Sequence, residues 1–233
     1  MSAPAVSVVI PVHNGETFLA EAIDSALGQR PAPLEVIVVD DGSGDRTSEV
    51  IAGFGEKVIS VRQRNRGPAA ARNRGIVLAS APLIGFLDAD DQWTSEALAR
   101  QLECLASSRK ADVVWGRCER LVMPDAPRRD ERYDRPQWIL CTGAMLFPRQ
   151  LLEAVGGFDE SFRSGEDMDL MARLRERNAS IVRHPHVVHR VRVHAASQFR
   201  TNPAAMEQGH YRAVLKALAR KREKRAASDA AED

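Results

Sequence analysis

Four short β-branched runs constrain this chain more than any other feature. They are VSVVIPV (6–12), LEVIVVD (34–40), KVISVRQ (57–63) and LIGFLD (83–88). Stretches of helical period separate them. Residues 16–28 place Phe18, Leu19, Ala22, Ile23, Ala26 and Leu27 on one helical face. Residues 68–79 open with a proline, whose missing N–H costs little at a helix start. Ser43 or Asp45 offers a cap for a helix after the second run, and Thr94 or Ser95 for one over 94–106. A fifth strand is expected over 111–119. Runs that are apolar on both faces and separated by helices imply an α/β fold, with a mostly parallel central sheet and helices on both faces.

The alternation then weakens. Residues 120–137 are rich in charge and proline and read as a loop. A strand is expected over 142–149, with helices over 150–155 and 166–177. Residues 180–194 read as extended, interrupted by Pro185. A C-terminal helical tail is expected from Pro203 to Arg225 with a frayed end, and the one boundary falls near residue 200.

At 233 residues the chain is long enough for one substantial core. Its net charge of +1 supplies no global field for nucleic acid. Cys104, Cys118 and Cys141 are odd in number and far apart in sequence, so they suggest neither a disulfide framework nor a cysteine zinc site. The start, MSAPAVSVVIPVHNG, has no basic region and too short an apolar run for a signal peptide. No stretch approaches the roughly 20 apolar residues of a membrane span. The expectation is a cytoplasmic protein.

Ligands of open α/β sheets bind at the carboxyl ends of strands. Three polar clusters fall there: PVHNG (11–15), DDGSGD (40–45) and DADD (88–91). Acidic turns with Gly and Ser also serve simply as caps. The DADD cluster is more specific. Asp88 and Asp90 are two apart, so in an extended backbone they point the same way. Such a pair can hold Mg²⁺ or Mn²⁺ together with water and substrate phosphates. The competing role is capping of the helix near Thr94, for Asp91 above all. PVHNG matches neither G-x-G-x-x-G nor the P-loop, so dinucleotide and P-loop readings lose their support. Glu166 and Asp167 sit where a helix begins, and suit a general base or a dipole partner. His184, His186, His189 and His194 lack zinc-site spacing and accompanying cysteines.

In order and spacing, VSVVIPVHNGETFLAEAIDSALGQ, EVIVVDDGSGDRT, NRGPAAARNRGIVLASAPLIGFLDADDQW and TGAMLFPRQLLEAVGGFDESFRSGEDMDLMARL resemble the family 2 inverting glycosyltransferases. The resemblance covers roughly residues 5–197 and ends near VRVHAAS. It implies the GT-A fold: a nucleotide-binding half (about 1–119) and an acceptor-binding half (about 120–200), followed by the tail (201–233). It implies a nucleotide-sugar donor, typically a UDP-sugar, a carbohydrate or lipid-linked acceptor, and Mn²⁺ or Mg²⁺. It places Pro11, His13 and Asn14 beside the nucleotide, His13 standing where the family often has an aromatic ring. Asp41 would bond the base and Arg72 would lie near the nucleotide. Asp88 and Asp90 form the D-x-D element, Asp90 the more direct metal ligand. Asp167 matches the catalytic base, with Glu166 next in line, and His194 matches a histidine that in some members reaches the metal or diphosphate. Two alternatives stay open: a sugar nucleotidyltransferase, and an inactive sugar-nucleotide-binding module. In the tail, Tyr211, Val214, Leu215 and Leu218 share one face amid basic residues. That helix (210–225) either packs on the body or makes weak peripheral contact with the inner face of a membrane.

Overall fold

The computed structural model describes residues 5–108, 110–126, 135–195 and 203–232. One eight-stranded sheet runs through the molecule, in the order β3-β2-β1-β4-β7-β6-β8-β5. Strands β1 (Val6–Val12), β2 (Glu35–Asp40), β3 (Ile59–Arg62) and β4 (Leu83–Phe86) form its parallel half. Val8, Val9, Ile10, Ile37, Val38 and Ile84 are fully buried there, each stabilising the fold by about 1.5–3 kcal/mol. Helices α1 (Leu19–Leu27), α2 (Thr47–Ala52), α3 (Pro68–Leu78) and α4 (Ala97–Ser107) make the crossovers. Helix α3 comes very close to β1. A Cβ on Gly75 would collide with Val9, so only glycine permits this approach.

The second half is mixed. The short β5 (Gln92–Trp93) pairs antiparallel with β8 (Ile181–Val193), and β7 (Met145–Pro148) pairs antiparallel with both β4 and β6 (Val113–Val122). Strands β6 and β8 run parallel. Helices α5 (Arg149–Ala154), α6 (Glu166–Glu176) and α7 (Pro203–Glu232) are the further α-helices among the described residues. Among the described residues no helix is long and apolar enough to cross a membrane.

Several expectations change. Strand β6 continues to Val122, so the loop begins later than residue 120, and 127–134 of it lie outside the described residues, as does the expected boundary near residue 200. Pro185 does not interrupt β8. The register shifts opposite Trp115 and Arg117, and such a bulge takes up a residue without a ladder N–H. Neither Thr94 nor Ser95 caps α4: the Thr94 hydroxyl donates to the Val187 carbonyl at 2.9 Å. Cys118 and Cys141, distant in sequence, bring their free thiols within 3.7 Å.

Helix α7 runs to Glu232, past the expected end at Arg225, because Ala-rich sequence favours helix. It packs on α6, but not through its apolar stripe. Tyr211 is 65% exposed and Val214, Leu215 and Leu218 are 46–48% exposed. The opposite face makes the contact. Ala213 is buried, and a Cβ on Gly165 would collide with the Gly209 backbone. Gly165 also has φ +80°, which suits glycine before α6. Lys216 pairs with Asp159, and Arg220 pairs with Asp169 at 2.9 Å and Glu176 at 3.0 Å. Asp169, fully buried between Arg173 and Arg220, is therefore structural.

Candidate active site

The carboxyl ends of β1 and β2 are stapled to each other by backbone-to-side-chain hydrogen bonds. The N–H groups of Asn14, Gly15 and Glu16 donate to Ser43 Oγ, Thr47 Oγ1 and Asp45 Oδ2 at 2.9–3.0 Å. In return Gly44 N–H donates to Asn14 Oδ1 at 2.8 Å, and Arg46 N–H to Glu16 at 2.9 Å. Ser43 and Asp45 thus join two loops. Asp45 additionally accepts from Thr47 N–H at 3.0 Å, in the turn that leads into α2. Asn14 takes a left-handed φ of 53°, a conformation asparagine tolerates.

Beside this staple Pro11 is buried within β1 and His13 is exposed. His13 Nδ1–H donates to the Asp41 carbonyl at 3.1 Å, leaving Nε2 as the acceptor for the amides of Asn14 and Asn65 at 3.3 and 3.2 Å. The Asp41 carboxylate accepts Gln63 Nε2–H and Arg66 N–H on one oxygen at 2.8 and 2.9 Å, and Gly67 N–H on the other at 2.7 Å. A carboxylate has about four lone-pair sites, so three hold the loop into α3 and one remains.

At the end of β4 the expected extended geometry is replaced by a turn, closed by Asp91 N–H to the Asp88 carbonyl at 3.0 Å. Asp88 and Asp90 have different partners in this turn. Asp88 accepts from Arg72 at 2.6 Å, while Asp90 faces His194 Nε2 at 3.3 Å. Burial, then repulsion from Asp91 and Asp88, pushes Asp90 up to about 6. Asp91 is no helix cap. It is buried, and accepts from His189 Nε2–H and Arg192 N–H, both at 2.8 Å. Arg192 in turn donates to the Asp90 carbonyl at 2.8 Å, so this ion-paired layer fixes the turn that presents Asp90. His194 rests on Phe18, ring centroids 4.7 Å apart. His184 instead lies within bonding distance of Gln101 at 3.2 Å, away from these groups. Among the described residues no three His, Cys, Asp or Glu side chains converge to hold a metal by themselves.

Arg72 joins this cluster to the start of α6. It is 4% exposed and donates to Glu166 at 2.8 Å as well as to Asp88. Burial opposes its charge, but Asp88, Asp167 and Glu166 outweigh that cost and hold it charged. Glu166 is thereby committed to an ion pair. Asp167, the next residue, is half-buried and accepts Thr142 N–H at 3.0 Å. Its carboxyl is pushed up to about 7, by burial first and then by Glu166 and Asp88 against the opposing pull of Arg72. A carboxylate aimed by a backbone donor and titrating near neutrality has the properties of a general base.

The structure thus brings Arg72, Asp88, Glu166 and Asp167 into one network, sets Asp90 with His194 beside it, and holds His13, Asn14 and Asp41 in the stapled loops. Sequence reasoning missed the Asp91–His189–Arg192 layer. Its partners lie about a hundred positions apart, with no local signal.

Comparison with known proteins adds five observations. The glycosyl transferase family 2 model matches residues 7–166. An uncharacterized glycosyltransferase of Rickettsia typhi is 31% identical over 235 residues, spanning 94% of this chain and 72% of the relative. A PGL/p-HBAD biosynthesis glycosyltransferase of Mycobacterium tuberculosis is 29% identical over 197 residues, spanning 81% and 76%. Among solved structures, S. aureus TarS aligns with a TM-score of 0.66 at 23% identity, over 81% of this chain and 37% of TarS. TarS 1–349 in complex with UDP-GlcNAc aligns at 0.65 and 21% identity, over 83% of this chain and 60% of that one. At these identities the structural likeness concerns the fold.

Proposed function

The chain belongs to glycosyl transferase family 2, and from that premise we propose that it moves a sugar from a UDP-sugar to an acceptor hydroxyl with inversion at the anomeric carbon. The observation that carries this reading is Asp167: a half-buried carboxyl, aimed by the Thr142 N–H and raised to about 7, beside an arginine-bridged acidic cluster. The TarS complex with UDP-GlcNAc supports a UDP-sugar as the donor class.

In this mechanism the stapled loops hold the nucleotide. The remaining lone pair of Asp41 accepts from the base, and the exposed His13 ring packs on it. Asp167 takes the proton of the acceptor hydroxyl as that oxygen attacks the anomeric carbon from the face opposite the diphosphate. The bond to the diphosphate oxygen breaks, and UDP leaves with the electron pair. Arg72 engages Asp88 and Glu166 in ion pairs at 2.6 and 2.8 Å, which leaves Asp167 as the carboxylate of this network free to take the proton.

The family implies a divalent cation, and the residues fit one. Asp90 and His194 are an oxygen and a nitrogen donor 3.3 Å apart, and Asp90 carries repulsion from two neighbouring carboxylates that a cation would relieve. Such ions are commonly held by one or two protein donors plus substrate phosphates and water. When bound, Mn²⁺ or Mg²⁺ would supply Lewis-acid neutralisation of the leaving diphosphate. Asp90→Ala is expected to abolish any strengthening of UDP binding by Mn²⁺. Equal metal dependence in wild type and variant would remove Asp90 from this role.

The nucleotide loops lie in the first half, about 1–119, and the base Asp167 in the second, about 120–200; the acceptor is a carbohydrate or a lipid-linked molecule. The exposed stripe Tyr211, Val214, Leu215 and Leu218, continued by the exposed Arg222 and Arg225, suits weak contact with an anionic membrane surface, where each basic residue adds about 1 kcal/mol. The direct test of the whole reading is incubation with a panel of UDP-sugars and Mn²⁺. One donor is expected to be hydrolysed slowly to UDP. If no UDP-sugar is either bound or hydrolysed, the reading fails.

A further inference from the structure

On the acceptor side, four side chains form an alternating stack outside the acidic cluster. The Arg117 guanidinium lies 4.5 Å from the Trp138 ring centroid. Arg183 lies 4.5 Å from the Trp115 centroid and 6.0 Å from that of Trp138. Trp115 is buried and donates from its indole N–H to the Ile139 carbonyl at 3.2 Å, which anchors the stack to the chain leading to Thr142. Trp138 is 39% exposed, and Arg183 is exposed.

Among the described residues the charges in this stack are unbalanced. Among the described residues neither Arg117 nor Arg183 has a carboxylate partner, and the Nε of Arg117 is buried without a hydrogen-bond partner. The contrast with the tail is instructive: Lys216 and Arg220 there each meet acidic side chains. Two cations held against one indole repel each other, and a buried N–H without an acceptor is costly. Both penalties fall when an oxyanion sits at the guanidinium edges. Arginine pinned on an aromatic face is well suited to that task, because its planar fork is already oriented for two-point binding. With both rings of the stack occupied by guanidinium groups, the recognition on offer is for charge rather than for a sugar face.

Position identifies whose charge it is. Trp138 lies four residues before Thr142, the residue that aims Asp167. Four extended residues reach at most about 14 Å. The stack is thus close enough for the acceptor that Asp167 activates and outside the donor loops, which lie across β4 and β7 in the sheet. We propose that Arg117 and Arg183, pinned by Trp138 and Trp115, form an anion subsite that holds a phosphate group of the acceptor. The proposal rests on the transferase reading, in which Asp167 marks the acceptor end.

The test uses full-length protein and simple probes. Glucose 6-phosphate, glucose, glucuronate and inorganic phosphate are titrated by tryptophan fluorescence in wild type, Arg183→Gln, Arg117→Gln and the double variant. UDP binding is followed separately by calorimetry. Glucose 6-phosphate is expected to bind wild type in a salt-sensitive manner, at least tenfold more weakly to the double variant, and glucose not at all. UDP affinity should stay unchanged in every variant. Arg183 is exposed, so Arg183→Gln keeps the result interpretable even if Arg117→Gln impairs folding. Undiminished glucose 6-phosphate binding in folded Arg183→Gln protein overturns the subsite. Equal or tighter binding of glucuronate overturns the phosphate assignment. Tighter binding of free phosphate than of the sugar phosphate overturns the acceptor role. Loss of UDP-sugar binding in the wild type would instead break the transferase reading, and calorimetry separates the two failures.

Discussion

The two acidic regions of the site are built on opposite principles. In the loops after β1 and β2, Asp41 and Asp45 each accept at least three hydrogen bonds, and loop N–H groups meet side-chain oxygens across the gap. In the turn after β4 and the start of α6, Asp88, Glu166 and Asp167 crowd around a single buried Arg72, and Asp90 lies against Asp88, Asp91 and His194. The first region is satisfied without a ligand, and so holds a shape. The second carries unresolved repulsion, and so holds a chemical potential for protons and cations. Rigidity and reactivity are thereby assigned to different carboxylates.

The sharpest way to break this contrast is Asp167→Asn. The substitution keeps size but cannot accept a proton. Sugar transfer is expected to fall about 10²- to 10⁴-fold, with UDP binding unchanged and the product anomer of the wild-type enzyme inverted. Near-normal turnover would return the base role to Glu166, and a retained anomer would refute one-step displacement.

Next in size is Arg72→Met. Removing one partner of a buried ion pair costs about 3–5 kcal/mol, and here it strands two ion-paired carboxylates. Denaturant unfolding should show the loss in full at pH 8 and less of it at pH 5, where protonation relieves the crowd. Arg72 also lies over the Phe158 ring, 5.5 Å from its centroid, and an equal loss at both pH values would mean that it acts through that packing rather than by charge.

The pH dependence of the wild type sharpens the same point. Asp167 titrates near 7 in the folded protein, above the unfolded value of about 3.9. Between those values the folded state holds a proton that the unfolded state has lost. Its contribution therefore makes stability of the ligand-free protein fall as pH rises from about 4 to 7. Transfer should rise through the same window as the base form appears. Asp167→Asn should flatten this stability component, and an unaltered pH profile would show that the shift belongs to another group.

The smallest effect belongs to the stapled loops. Thr47→Val removes the acceptor for Gly15 N–H and is expected to cost about 1–3 kcal/mol. It should weaken UDP binding while leaving the rate at saturating donor within a few-fold. A selective collapse of the rate instead would mean that the loops take part in the transfer step.

Much of this was legible in the sequence because the signals are local. Alternating β-branched runs and helical periods give the parallel half nearly to the residue, and α6 was expected over 166–177 and is found over Glu166–Glu176. The motif positions also pointed to Arg72, Asp88, Glu166 and Asp167, which the fold brings into one network. Where the reading failed, the deciding partner was remote. Asp88 and Asp90 looked alike two positions apart, but the turn gives them different partners, Arg72 and His194. Asp91 looked like a cap, but His189 claims it from 98 positions away. The tail's apolar stripe suggested a packing face, but the small residues Gly209 and Ala213 allow closer approach on the other side.

The sequence by itself determined which segments become strands and helices, and which acidic residues stand at strand ends, because propensity, periodicity and turn chemistry act over a few residues. The tertiary structure decided which of those carboxylates is ion-paired, which is hydrogen-bonded and which is left to titrate. That outcome depends on burial and on charges within a few ångströms, and Coulomb energy follows distance in space rather than distance along the chain.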